Sequence, residues 1–173
     1  QSSNDVIPTA IHLAAAESIT NKLLPTLRVC ETELSAKSQQ FDHIVNPVTS
    51  HLQDATPVRL GQEVSGYARQ LEKARERIEQ SLYVLMELAL GGTATGTGIN
   101  APEGFAPRVI ELLAEETGLL LIEAKDHFSA QGGQDAQVAI SAALRGLAVA
   151  LTKIGNDLRW LSSGPRCGLG ELQ

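Results

Sequence analysis

Small and apolar residues recur at helical spacing along most of this chain. In the first segment Ile7, Ile11, Ala14, Ala15, Ser18 and Ile19 share one face. Ser3, Asn4 or Asp5 is suited to cap the helix they define, and Pro8 suits its first turn. Pro25 has no backbone N–H and predicts an end or kink near Leu24. Leu27, Cys30, Leu34 and Phe41 then predict a second helix reaching about Phe41. The stretch Ile44-Val45-Asn46-Pro47-Val48 is short, β-branched and broken by proline, so it reads as an extended connection. A polar segment from Thr49 to Thr56 follows it. The strongest pattern is Leu60, Val64, Tyr67, Leu71, Ala74, Ile78, Leu82, Leu85 and Leu88, opposite a charged face that includes Arg69, Glu72, Lys73 and Glu76. It predicts a helix from about Pro57 to Leu90, roughly 50 Å long at 1.5 Å per residue.

Gly91 to Gly98 interrupts this rhythm completely. Phe105, Val109, Leu112 and Leu113 predict a shorter helix, and Leu119 to His127 reads as another helical stretch. After a break at Gly132-Gly133, the series Ala136, Ile140, Leu144, Leu147, Leu151, Ile154, Leu158 and Leu161 predicts a last long helix. Ser163-Gly164-Pro165 stops it. The fold class implied is all-α, a bundle of long, nearly antiparallel helices. Two of them exceed about 28 residues, more than a compact chain of this size can cover, so their apolar stripes call for partner helices and oligomerisation.

Composition agrees with that picture. Apolar residues make up 43% of the 173, but aromatic ones only 3%, and a chain poor in aromatics but rich in Ala and Leu leans helical. Fourteen basic and twenty acidic residues give a net charge of -6. Without a basic block, a nucleic-acid interface is excluded. No apolar run approaches the eighteen or so residues of a membrane span. Cys30 and Cys167 lie far apart with no C-x-x-C spacing, which excludes a disulfide scaffold or zinc ribbon and suits a reducing compartment. The chain opens at Gln1 with neither an initiator Met nor a signal pattern and stops abruptly after Glu171-Leu172-Gln173, so it reads as a piece of a longer protein.

Candidate chemistry is confined to a few polar clusters. Gly91 and Gly96 have phosphate-loop spacing, but Thr97 stands where such a loop needs Lys and the flanks look helical, not strand-then-helix. A tight connection between bundle helices is the better reading, with Thr93, Thr95 and Thr97 satisfying exposed backbone groups. His12, His43, His51 and His127 include no H-x-H or H-x-x-x-H pair, so no metal site is expected. His12, His43 and His127 sit within or at the ends of predicted helices, ordinary surface or C-terminal placements. His51 differs, because it lies in a non-helical polar segment with Thr49, Ser50, Gln53 and Asp54, the kind of loop on which functional groups gather. The run Gln1-Ser2-Ser3-Asn4-Asp5 is either a helix cap or an anion site at a helix N-terminus. Arg159 and Arg166 either serve the same anion or are surface charges.

Four stretches together resemble the class II fumarase branch of the aspartase/fumarase superfamily. They are Gln1-Ser2-Ser3-Asn4-Asp5 with Pro8-Thr9-Ala10; Ser50-His51-Leu52-Gln53-Asp54-Ala55 running on to Leu60-Gly61-Gln62-Glu63; Gly91 through Asn100; and Ser163 through Leu172. Their order and spacing fit across the whole chain. The resemblance implies that residues 1–173 are the central helical domain of a parent whose N-terminal and C-terminal parts are missing here. It implies an enzyme that reversibly adds water to fumarate, giving (S)-malate, without metal or organic cofactor. It also implies a homotetramer built on a twenty-helix core, with active sites shared by three subunits, in the cytoplasm or, in a eukaryote, the mitochondrion. By the same resemblance Ser2, Ser3 and Asn4 match the substrate-binding Ser-Ser-Asn, Ser50 matches a carboxylate-binding position that is usually Thr, and His51 matches the catalytic histidine. His51 favours a fumarase over an aspartase, which usually carries Gln there. Where the family usually reads Gly-Arg-Thr-His, this chain has Val48-Thr49-Ser50-His51, which keeps the hydroxyl but loses a fixed cation. The family's mobile catalytic loop would lie beyond Gln173, so the piece alone is expected to be inactive.

Overall fold

A computed structural model describes residues 1–172. In chain order its elements are α1 (Ser3–Ser18), a π-helical turn (Ile19–Leu23), α2 (Leu24–Gln40), β1 (Val45–Ser50), β2 (Gln53–Arg59), α3 (Leu60–Leu82), a 3-10 turn (Tyr83–Leu85), β3 (Glu87–Leu88), α4 (Phe105–Thr117), β4 (Ile122–Glu123), α5 (His127–Gly132) and α6 (Asp135–Leu161). The chain divides into two compact units: residues 1–25 with 77–143, and residues 26–76 with 144–173. The boundaries fall at or within helices, not in linkers.

Pro25 does not end the first helix. The helical path is unbroken from Ser3 to Gln40, because the turn before the proline widens: the Leu24 N–H donates to the Ile19 carbonyl, five residues back. A π turn of this kind makes room for a ring that lacks the donor and clashes with the preceding turn. Pro8 likewise lies inside α1 instead of in its first turn.

In the first unit Ala16, Ile19, Ile78, Leu85, Leu88, Ile110, Leu119, Leu121 and Ile140 are buried. Burying each large aliphatic side chain is worth about 1.5–3 kcal/mol. The helix expected to reach Leu90 stops at Leu82. Beyond it the 3-10 turn and β3 carry Leu85 and Leu88 into the core by another backbone route, β3 pairing in parallel with β4 through Glu87–Ile122 and Leu88–Glu123. At 23 residues, α3 spans about 35 Å instead of 50. The stretch from Leu119 to His127, expected to be helical, is extended as far as Asp126; only His127 starts a helix, α5, with the Asp126 side chain accepting from the Ser129 N–H as its cap.

In the second unit Leu27, Leu60, Val64, Tyr67, Leu71, Ala74, Leu147 and Ile154 form the core. Lys153 lies 4.7 Å from the centroid of the Tyr67 ring and pairs with Asp157 one turn along α6. Desolvation, together with Asp157 and Glu63, pushes the Tyr67 phenol well above its ordinary pKa. The expected extended connection is β1 of an antiparallel hairpin, with Pro47 opposite Pro57 and a bulge between Pro47 and Thr49. A two-stranded ribbon tolerates both prolines at small loss.

α6 is the longest single α-helix, 27 residues. Charges interrupt its apolar runs, yet an 18-residue window averages a hydropathy of 1.5, enough by length and composition to cross a membrane, and only 17% of that window is buried within the chain. Val138, Val149 and Trp160 are each more than 60% exposed along it. The stripe read from the sequence is mostly the face α6 buries, through Ile140, Leu147 and Ile154; the uncovered apolar residues Val138, Val149 and Trp160 lie on another face.

Candidate functional site

The polar residues singled out in the sequence fall into two groups, one in each unit. The first lies at the start of α1. Ser2 is the N-cap, its Oγ accepting from the Asn4 N–H at 3.3 Å, and Asp5 closes a capping box by accepting from the Ser2 N–H at 2.7 Å. Such a box satisfies two of the helix's orphan donors. Asp5 also reaches across 86 residues of sequence: its second oxygen accepts from the backbone N–H groups of Gly91 at 3.2 Å and Thr93 at 3.0 Å. The side chain is fully buried. Burial by itself pushes its pKa up, but the hydrogen bonds from Ser2, Gly91 and Thr93 outweigh that and hold it below the usual 3.8.

The glycine-rich segment is thus an anion cradle, and the anion it holds is the protein's own carboxylate. Gly91 adopts φ 108° and Thr93 φ 57°; a Cβ on Gly91 would sit 2.4 Å from that of Ala106. From the other side Gln131 donates its side-chain amide to the Thr93 carbonyl at 2.8 Å. The threonine hydroxyls, expected to satisfy backbone groups, do not do so among the described hydrogen bonds. Those of Thr95 and Thr97 face each other at 3.4 Å, while the Thr93 hydroxyl is buried without a partner.

Asn4 donates its side-chain amide to the Ala94 carbonyl at 2.6 Å and lines a cleft of about 310 Å³ with Thr95, Phe128 and Gln131. Ser3 and Asn4 are exposed, and Ser2 is half-buried. Two histidines read as surface groups are structural. His12 is buried, with Nδ1 2.9 Å from the Glu87 carbonyl. His127 Nε2 lies 3.1 Å from the Leu90 carbonyl and 3.3 Å from a Glu123 carboxylate oxygen.

The second group is the hairpin tip. Ser50 and Gln53 form the last pair of the ribbon, leaving His51 and Leu52 as its two-residue turn, both left-handed at φ 53° and 61°. A primed turn demands that geometry, and residues with a Cβ adopt it at some strain. Ser50, His51 and Leu52 are all exposed, and no described group hydrogen-bonds the His51 imidazole or the Ser50 hydroxyl. Hydroxyl and imidazole are therefore on consecutive residues at the end of the ribbon, exposed and open to a ligand. Arg159 and Arg166 are exposed near the end of α6 and in the loop after it. Among the described residues no cluster of His, Cys, Asp or Glu has the makings of a metal site.

Residues 1–173 match in full the family described as lyase, and the chain belongs to that lyase family. It is 52% identical to the class II fumarate hydratase of Ralstonia nicotianae, across 99% of this chain and 37% of that protein. It is 51% identical to that of Neisseria meningitidis, across 100% and 37%. The crystal structure of recombinant class II fumarase from Schistosoma mansoni superposes with a TM-score of 0.93 at 37% identity, covering 97% of this chain and 38% of that one. The fold is thus the helical domain of the fumarase fold, and the chain spans little more than a third of the length of the relatives it matches.

Proposed function

We propose that this chain is the central helical domain of a class II fumarate hydratase whose parent reversibly hydrates fumarate to (S)-malate. The observation that carries the reading is identity of about half to class II fumarate hydratases along the whole chain. In the dehydration direction malate loses a carbon-bound proton beside a carboxylate, giving an aci-carboxylate dianion, and then expels hydroxide. Such a path needs fixed donors around the carboxylates and a group able to protonate the departing oxygen. Ser2, Ser3, Asn4 and Ser50 supply the donors, and His51, whose class of side chain titrates near neutrality, is the acid/base. Neither metal nor organic cofactor takes part. The parent is a homotetramer with shared active sites, in the cytoplasm or, in a eukaryote, the mitochondrion. The exposed apolar Val138, Val149 and Trp160 of α6 support the assembly, and the free, exposed Cys30 and Cys167 support a reducing compartment.

One observation favours a second reading. Val48-Thr49 replaces the Gly-Arg usual before the hydroxyl and histidine, removing a cation that would fix a substrate carboxylate, so the parent acts in this reading as a sister lyase on another fumarate-releasing substrate. Assaying the full-length parent with malate, aspartate and argininosuccinate decides between them. Malate dehydration is the expected result; turnover of either of the others with none of malate would overturn the first reading.

A further inference from the structure

The most deeply buried charge in the first unit is one that the proposed chemistry leaves unused. We propose that Asp5 is a positioning residue, whose carboxylate clamps the Gly91–Thr93 backbone to the start of α1 and so sets where Ser3 and Asn4 meet the substrate. The inference rests on the reading of Ser2, Ser3 and Asn4 as carboxylate binders.

Asp5 touches no solvent, so it cannot itself contact a ligand. Its two oxygens divide their work: one takes the N–H of Ser2, within the binding run, and the other takes two N–H groups of the glycine-rich segment. The residue after those donors, Ala94, accepts the Asn4 side-chain amide. The orientation of Asn4 is therefore tied to the same segment that Asp5 fixes, and Gln131 holds that segment from its carbonyl side. A closed ring of contacts results, from Asp5 through Thr93 and Ala94 to Asn4 and back along α1. A cap alone would need only the Ser2 contact. The links to Gly91 and Thr93 add nothing to the capping of α1; they fix a segment against which a binding side chain is oriented. A group misplaced by 1 Å can lose a large factor in substrate capture although it is chemically intact.

The test is Asp5→Asn in the full-length parent, assayed on whichever of malate, aspartate or argininosuccinate it turns over. Asn keeps the shape but presents a donor where one of the two oxygens accepted, so one side of the clamp opens. KM should rise about ten-fold while kcat stays within about three-fold, the signature of lost uniform binding. Amide hydrogen exchange over residues 91–98 should quicken in parallel, with assembly unchanged. An unaltered KM, with exchange quickened or not, would overturn the proposal, since a purely structural carboxylate predicts it. If Asp5→Asn fails to assemble, Gln131→Ala, which loosens the same segment from the half-buried side, decides: exchange and KM must move together, and quickened exchange at constant KM refutes the clamp's role. Turnover of aspartate or argininosuccinate but not malate would discard the hydratase reading while leaving this test intact.

Discussion

The start of α1 and the tip of the hairpin are both short runs of small polar residues, yet the chain treats them in opposite ways. Around α1 the chain ties its own polar groups together: Ser2, Asn4 and Asp5 are bonded to one another or to the glycine-rich segment, and the charge among them is buried. At the ribbon tip no described group engages the imidazole or the neighbouring hydroxyl, and the backbone of His51 and Leu52 sits in a conformation that most residues avoid. Holding a carboxylate calls for groups preorganised before the ligand arrives, while shuttling a proton calls for one whose partner is the ligand. The contrast is what a division between binding and proton transfer would produce.

The sharpest way to break the comparison is to remove the imidazole. His51→Asn should lower kcat of the parent by about 10²–10⁴-fold, with mass by light scattering unchanged; an unaltered rate would make the tip merely structural. Next is Asp5→Ala, which strands the two buried N–H groups of Gly91 and Thr93 at a penalty of about 1–3 kcal/mol apiece, less whatever water recovers, and frees the half-buried one of Ser2. Urea denaturation should show the loss, and a stability within 0.5 kcal/mol, roughly that of a neutral surface change, would mean that the ring around Asp5 contributes little. The same carboxyl has a pH signature. Its folded-state pKa lies below the ordinary 3.8, so the stability it confers is complete above that value and drains as pH falls through the depressed one. Below about pH 4 the wild type should therefore lose stability more steeply than Asp5→Asn, and parallel slopes would contradict the downward shift. The smallest effect is expected at the tip backbone. Leu52→Gly suits the left-handed position and should firm the hairpin by about 1 kcal/mol or less, read as slower amide exchange in Gln53–Arg59.

Much of the fold is legible in the sequence where periodicity and caps agree. α4 and α6 fall where the spacing puts them, and α6 buries Ile140, Leu147 and Ile154 of the series that predicts it. The failures have particular causes. Leu82, Leu85 and Leu88 are three apart, a spacing that fits a helix's apolar face and equally a 3-10 turn followed by a short strand, both of which bury the same residues. Leu119, Leu120, Leu121 and Ile122 alternate buried and exposed as a strand should, but all four are apolar, so composition hides the period of two. On the site, the capping half of Asp5's work could be read from Ser2 three residues earlier. Its other half could not, because no local rule brings residue 5 to residue 93. His51 stood out only as a polar, non-helical neighbour; the ribbon that presents it depends on pairing across two prolines, which strand propensity argues against.

The widened turn before Pro25 sets the permitted length of the first rod. Ile19 and Leu24 are both buried, though five steps of a regular α-helix at about 100° each would point them well apart. The extra residue taken up in that one turn returns Leu24 to the inner side. Deleting any single residue between 19 and 23 would even out the pitch and press the Pro25 ring into a regular turn that has no room for it. In that interval the number of residues, more than their identity, is what the architecture holds fixed.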